Sequence, residues 1–229
     1  NENPFSGLPF FGDMAKAMNS QGPLQWDVAR QTAMMTALSG NSTEPNVDPA
    51  ARVGIERLVP IADLHVRNHT GLDTAPAGKE PNVVVVNRSM WVHHTLESYK
   101  PLFNELATSL SGSPAIPTDA LDLNQDDPMM NMMASLNKMM APAMMGMSVG
   151  TMVGQLALKS FGQYDLPLPR EPQDQMLIVA SNVDEFAHDW SIPVDDMRMW
   201  VLIHELTSHA VLTCPHIRVA VNNAISSYM

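Results

Sequence analysis

From Met139 to Leu158 twenty consecutive residues carry no charge, and Lys138 and Lys159 bracket the run. Gly146, Gly150 and Gly154 recur within it at a spacing of four, and ten of the chain's 19 methionines fall between Met129 and Met152. As a helix the run would be about 30 Å long, enough for a bilayer core. A helix apolar on all sides must be buried in protein or in lipid. The glycines suit close approach by a second helix in either setting. Pro142 interrupts the run and no second run of this kind exists, so a buried helix with a neighbour at its glycine face is the expected solution and a membrane partner is not. A methionine surface joining copies of the chain into a homo-oligomer is a further reading.

Punctuation residues divide the rest. A helix is expected from about Leu24 to Ser39, closed by Gly40. Asp48 followed by Pro49 is an N-cap and first-turn pair, opening a helix towards Asn68 with a kink at Pro60. Val83 to Val86 are four β-branched residues in a row and read as a buried strand; Met176 to Ala180 is a second. Helices are expected over about 87–110, 129–160 and 183–190, from about Pro193 to Leu212, and onward from Pro215. Residues 1–12 read as an arm that orders on contact, and 111–128 as a long Ser/Pro/Asp-rich loop. The sum is a mostly helical α+β chain with at least two strands, read as a single domain over residues 1–229 or as the N-terminal portion of a longer architecture.

The net charge of -11 argues against a nucleic-acid partner and against docking on anionic lipid. One cysteine, Cys214, excludes an intramolecular disulfide and fits a reducing, cytoplasmic compartment. No basic and then apolar leader opens the chain. P-loop and dinucleotide-binding glycine patterns are also missing.

Residues 204–209 read His-Glu-Leu-Thr-Ser-His. A zinc-peptidase helix reads His-Glu-x-x-His, because side chains four apart on a helix diverge by only about 40° and can grip one ion. Here Ser208 holds the second position and His209 follows it. Five residues apart, His204 and His209 diverge by about 140° on a regular helix. Met197, Trp200, Val201, His204, Ser208 and Val211 form one stripe, which points His204 towards the core. Two readings stand. In one, His204 and His209 are zinc ligands and Glu205 is the general base for a metal-bound water. In the other, His204 is a buried, hydrogen-bonded residue, and Glu205 pairs with His209 for a few tenths of a kcal/mol. No Asp or Glu follows Glu205 to supply a third ligand. Cys214, His216, the His93–His94 neighbours and the His65–His69 pair are the remaining donors considered, each with a plain structural alternative.

Several segments together resemble one family. They include Gln21-Gly22-Pro23 with Trp26, Val86-Asn87-Arg88 with Trp91, Gly162-Gln163-Tyr164-Asp165-Leu166-Pro167, Phe186-Ala187 with Asp189-Trp190, and Trp200 to Thr207. They look like the actinobacterial zincin-like metallopeptidases, whose motif helix typically reads His-Glu-x-Thr-His-His and whose chains run further past it. The resemblance implies a zincin-like fold with a small sheet beside the motif helix, zinc as cofactor and a peptide or protein substrate. It makes Gln163, Tyr164 and Asp165 the candidate wall for substrate backbone. The alternative use of Tyr164 and Asp165 is packing and capping of a turn. Ser208 departs from the pattern, so the resemblance implies an impaired peptidase, or a non-catalytic relative that binds or assembles.

Overall fold

Small residues decide how the first long helices meet. The computed structural model describes residues 22–39, 43–76, 79–112, 128–170 and 175–228. Helix α1 (Trp26–Ala37) buries Ala29, Ala33 and Ala37, spaced by four. They lie against the glycine face of α5 (Pro128–Ala157). A Cβ on Gly146 would come within 2.6 Å of Gln25 O, one on Gly150 within 2.5 Å of Ala29 O, and one on Gly154 within 2.7 Å of Ala33 O. The expected neighbour at the glycines is therefore α1. The all-round burial expected for 139–158 holds for one face only: Met140, Met144, Met147 and Met152 are exposed on the other. Among the described residues, no helix is long and apolar enough to cross a membrane.

Helix α2 (Pro49–Thr70) starts as expected, with Asp48 Oδ1 accepting the Ala50 N–H at 2.9 Å, and it runs on through Pro60. Strand β1 (Asn82–Val86) follows. The single helix expected over 87–110 is two, α3 (Arg88–Ser98) and α4 (Lys100–Gly112), divided at Tyr99. Pro101 accounts for the break, since it lacks an N–H and crowds the residues before it. Strand β2 (Gln175–Val179) passes directly into α6 (Ala180–Asp189), then α7 (Val194–Thr213) and α8 (Pro215–Tyr228). The expectations for residues 1–12 and for the 111–128 loop fall outside the described residues, except where α4 reaches Gly112 and α5 begins at Pro128.

β1 and β2 pair in parallel, Val83 opposite Met176 and Val86 opposite Val179. A parallel pair needs a crossover, which α3, α4 and α5 supply, and it is stable when covered on both faces. Alternation along the strands covers both. Val85, Met176 and Ile178 join a core built with α2, α6 and α7. Val86, Leu177 and Val179 join a second core built with α1, α3, α4 and α5. The molecule is thus a mostly helical α+β fold in which a two-stranded sheet divides two helical layers, with the motif helix α7 in one of them.

Candidate functional site

A strap of chain after α5 brings the motif helix to the sheet. Asn182 Nδ2 donates to Ala157 O and Ser160 O at 2.9 and 2.6 Å, fixing where α5 ends. Phe161 O then accepts the Val179 N–H at 2.8 Å, and Gly162 bridges Ile178 antiparallel, so the strap runs along the β2 edge. Asp165 Oδ2 turns it by accepting the N–H groups of Phe161 and Gly162 at 2.5 and 2.8 Å. From the second core, the buried Trp91 Nε1 donates to Gly162 O at 2.7 Å.

Glu205 enters from α7 beneath this strap. Its side chain is fully buried and Oε2 accepts the Tyr164 N–H at 2.8 Å. The fit depends on Gly162, where a Cβ would overlap the Glu205 carboxyl and stand 2.7 Å from its Cγ. Oε1 lies 3.3 Å from His204 Nδ1. That is an ion-pair distance, and Oε1 accepts no well-directed hydrogen bond. Tyr164 spans the two candidate residues: its N–H serves Glu205, and its hydroxyl lies 2.8 Å from His209 Nδ1. Burial pushes the Tyr164 phenol up to about 12, so it stays neutral.

The burial of α7 corrects the expected stripe. The core face is Met197, Val201, Leu202, Glu205, Leu206 and Ala210. Leu202 and Leu206 were outside the expected pattern; with Met197 and Val201 they form the continuous apolar face that turns inward. Trp200 is left 57% exposed and stacks on His204, the rings 5.5 Å apart and 10° from parallel. His204 therefore faces outward rather than into the core, and the acid beside it is the buried residue. Glu205 in turn serves Tyr164 in place of a surface helix pair.

Two shifts follow from this placement. Loss of solvation raises the Glu205 carboxyl above the ordinary glutamate value, although contacts from His204 and Tyr164 act against it. The Glu205 carboxylate raises His204 above 6.5 despite partial burial of the ring, and Asp165 adds to the effect. Both folded values exceed the unfolded ones, so the folded chain holds more protons and stability falls as pH rises. The Glu205 contribution declines from about 4.5 upward, and that of His204 from about 6.5 through its folded value. In an NMR titration, the His204 ring should titrate above 6.5 in the native chain and move down in Glu205→Gln. No movement would mean that the carboxylate does not set the ring's affinity for protons.

The likeness of 204–209 to a zinc-peptidase helix raises the question of zinc. A catalytic zinc takes three protein ligands and an open position. Among the described residues no group of three His, Cys, Asp or Glu side chains is placed to hold a metal. α7 is regular helix throughout 204–209, with no wider turn to bring His209 into register with His204. His209 directs Nδ1 at Tyr164, Ser208 stands where the second imidazole belongs, and Glu205 points into the core. The described donors thus do not fit a three-ligand site.

The other donors stay apart. His65 and His69 are exposed neighbours, with His69 Nδ1 2.9 Å from His65 O. His93 and His94 meet edge to face, Cys214 Sγ donates to Ala210 O at 3.3 Å, and His216 is exposed. Of the candidate wall, Gln163 and Tyr164 are buried, while Asp165 is exposed and caps the turn. All three lie on the strap that contacts α7. Trp91 and Arg170, which hold this strap, were not singled out as functional in the sequence. Trp91 stood out only as part of a family-like segment, and a lone arginine between prolines gave no signal for the second.

The chain matches the zincin-like metallopeptidase family over residues 24–229. No curated protein is a significant match. Among solved structures it resembles one described as a putative hydrolase with a novel fold, from Chloroflexus aurantiacus, at 18% identity and a TM-score of 0.60. The similarity covers 88% of this chain and 57% of that one, so this chain spans little more than half of its structural neighbour. At that identity the likeness speaks for the fold, and the family assignment rests on the match that runs through both the strap and the motif helix. This chain belongs to the zincin-like metallopeptidase family.

Proposed function

We propose that this chain is a zincin-like metallopeptidase family member with impaired or absent zinc-dependent hydrolase activity. The observation that carries the reading is the register of α7: the histidine available to join His204 is five residues on, and the strap tyrosine occupies its Nδ1. Ser208 has a neutral hydroxyl that does not ionise readily, so it makes a weak substitute ligand. Glu205 keeps the position of the family's general base, but its carboxylate holds the strap instead of facing an open site.

In this reading the 229 residues act as a single zincin-like domain in the cytoplasm, and a peptide or protein segment is what the scaffold meets. Gln163, Tyr164 and Asp165 form the strap such a segment would run beside. A non-catalytic binding or assembly role is the second reading. The exposed methionines of α5 favour it, because Met140, Met144 and Met147 offer an adaptable apolar face for a second copy.

Ser208→His tests the proposal. It places two imidazoles four apart on one face of α7, which should tighten zinc binding about tenfold or more, worth about 1.4 kcal/mol. Titration with zinc against a chromophoric chelator reads the change. Equal affinity in both forms would remove position 208 as the cause of impairment.

A further inference from the structure

A second site lies at the other end of the strap. Arg170 is 7% exposed, an unusual position for a guanidinium. Its Nε donates to Tyr99 Oη at 3.2 Å, and its Nη2 donates to Thr95 Oγ1 and Gln163 O at 3.2 and 3.1 Å. The guanidinium also sits over the Tyr99 ring, 4.8 Å from its centre. All of these partners are neutral. Among the described residues, Arg170 makes no ion pair with a carboxylate, and its Nη1 donates no hydrogen bond and is not sealed from solvent. A buried charge without a counter-charge is costly, so one is called for.

The same arginine lines a cleft of about 340 Å³ between α3, α4, the strap and α8. A second cation, the half-buried Arg218 of α8, lines it too, and it likewise makes no ion pair among the described residues. Ser98, 8% exposed, borders the cleft and has a buried hydroxyl with no hydrogen-bond partner. Among the described residues, Glu105 is the one carboxylate on the wall, and it pairs with neither arginine. Burial, His93 and, least of the three, Arg170 lower the affinity of His94 for protons. Leu102 and Ile225 give the cleft apolar sides. Its volume is within the range of small-molecule sites.

We propose that this cleft binds an organic carboxylate. The carboxylate would take up the charge of Arg170 and Arg218 and the hydroxyl of Ser98, and an aliphatic tail would lie along Leu102 and Ile225. Planar guanidinium forks suit a carboxylate's two oxygens. The apolar walls favour an acid with a hydrocarbon body over inorganic phosphate. This assignment is independent of zinc and of the state of His204 and Glu205.

The test follows the arginine Nε–H signals of the full ¹⁵N-labelled chain during titration with hexanoate, with hexanamide and inorganic phosphate in parallel. Hexanoate should shift the Arg170 and Arg218 signals saturably, and hexanamide should not. Arg218→Gln, a change on the outer helix, should weaken hexanoate about tenfold, the equivalent of one charge-assisted hydrogen bond. Arg170→Lys should weaken it further, and if that variant fails to fold, Arg218→Gln still decides. A leucine-terminated tripeptide and its C-terminal amide identify the source. Tighter binding of the free tripeptide than of hexanoate, lost in the amide, points to a peptide end; tighter binding of hexanoate points to a free acid. Equal shifts from hexanamide, an unchanged affinity in Arg218→Gln, or phosphate binding as tightly as hexanoate would overturn the proposal.

Discussion

Gly150→Leu should unfold the chain or leave it with a broad, weakly cooperative transition. A Cβ at this position would stand 2.5 Å from Ala29 O and 2.8 Å from Thr32 Cβ. The first of these is backbone of a neighbouring helix and cannot rotate away. α5 and α1 would have to separate along their full contact, exposing Ala29 and Ala33 together with the residues packed behind them. Overpacking typically costs about 1–3 kcal/mol, and a backbone obstruction at the centre of a helix pair belongs at or beyond the top of that range. A native chain holds about 5–15 kcal/mol in all. Urea denaturation followed by circular dichroism measures the loss. A leucine variant within about 0.5 kcal/mol of the parent, the usual span of surface changes, would show that the two helices do not meet at this glycine.

Trp91→Ala is the second large effect. The ring is fully buried in the core on the α1 and α5 side, and its Nε1 reaches Gly162 O, so one side chain holds both packing and the strap. Truncating a buried tryptophan costs about 3–5 kcal/mol. The orphaned carbonyl adds to this if the strap stays in place. The loss should also reach α7, because Gly162 and Tyr164 position Glu205. A loosened strap admits water to the carboxyl and weakens its hold on His204. The variant should therefore lower both the unfolding midpoint and the proton affinity of the His204 ring. Tryptophan→phenylalanine at the same position keeps most of the packing and loses the hydrogen bond, which separates the two contributions.

Most of this architecture was legible from residue pattern because local chemistry and tertiary packing agree. Asp48 followed by Pro49 can only open a helix cleanly, and it does so. The valine run at 83–86 has no better use than a strand covered on both faces. The glycine series predicted a close helix neighbour, and α1 supplies it. What failed to show depended on distant partners. The break at Tyr99 has a local cause in Pro101, but the use of the Tyr99 hydroxyl, 3.2 and 3.0 Å from Leu166 O and Leu168 O, rests on a distant strap that no local pattern signals.

The motif helix shows the same limit more sharply. Apolar spacing points His204 inward only if Trp200 and Val211 are core residues. The helix instead turns its leucines inward and carries Glu205 with them. A buried carboxylate is tolerated there because a strap 41 residues earlier offers Tyr164 N–H and a glycine with no Cβ to obstruct it. Gly162 was visible in the sequence as part of a family-like segment, but nothing adjacent to it reveals that its empty face is shaped for a glutamate from α7. Arg170 is the extreme case: its burial and its neutral partners come from α3 and the strap folding around it.

α7 carries a buried glutamate and, among the described residues, an incomplete set of metal ligands. Zinc titration of the unmodified chain by isothermal calorimetry, paired with elemental analysis after dialysis, tests that most directly. The expected result is weak binding with substoichiometric zinc retained, and no further loss in His204→Ala. Tight binding of one zinc per chain, abolished by His204→Ala, would contradict it. In that case His209 or a residue outside those described completes the site, and Glu205 must leave the strap to face the metal.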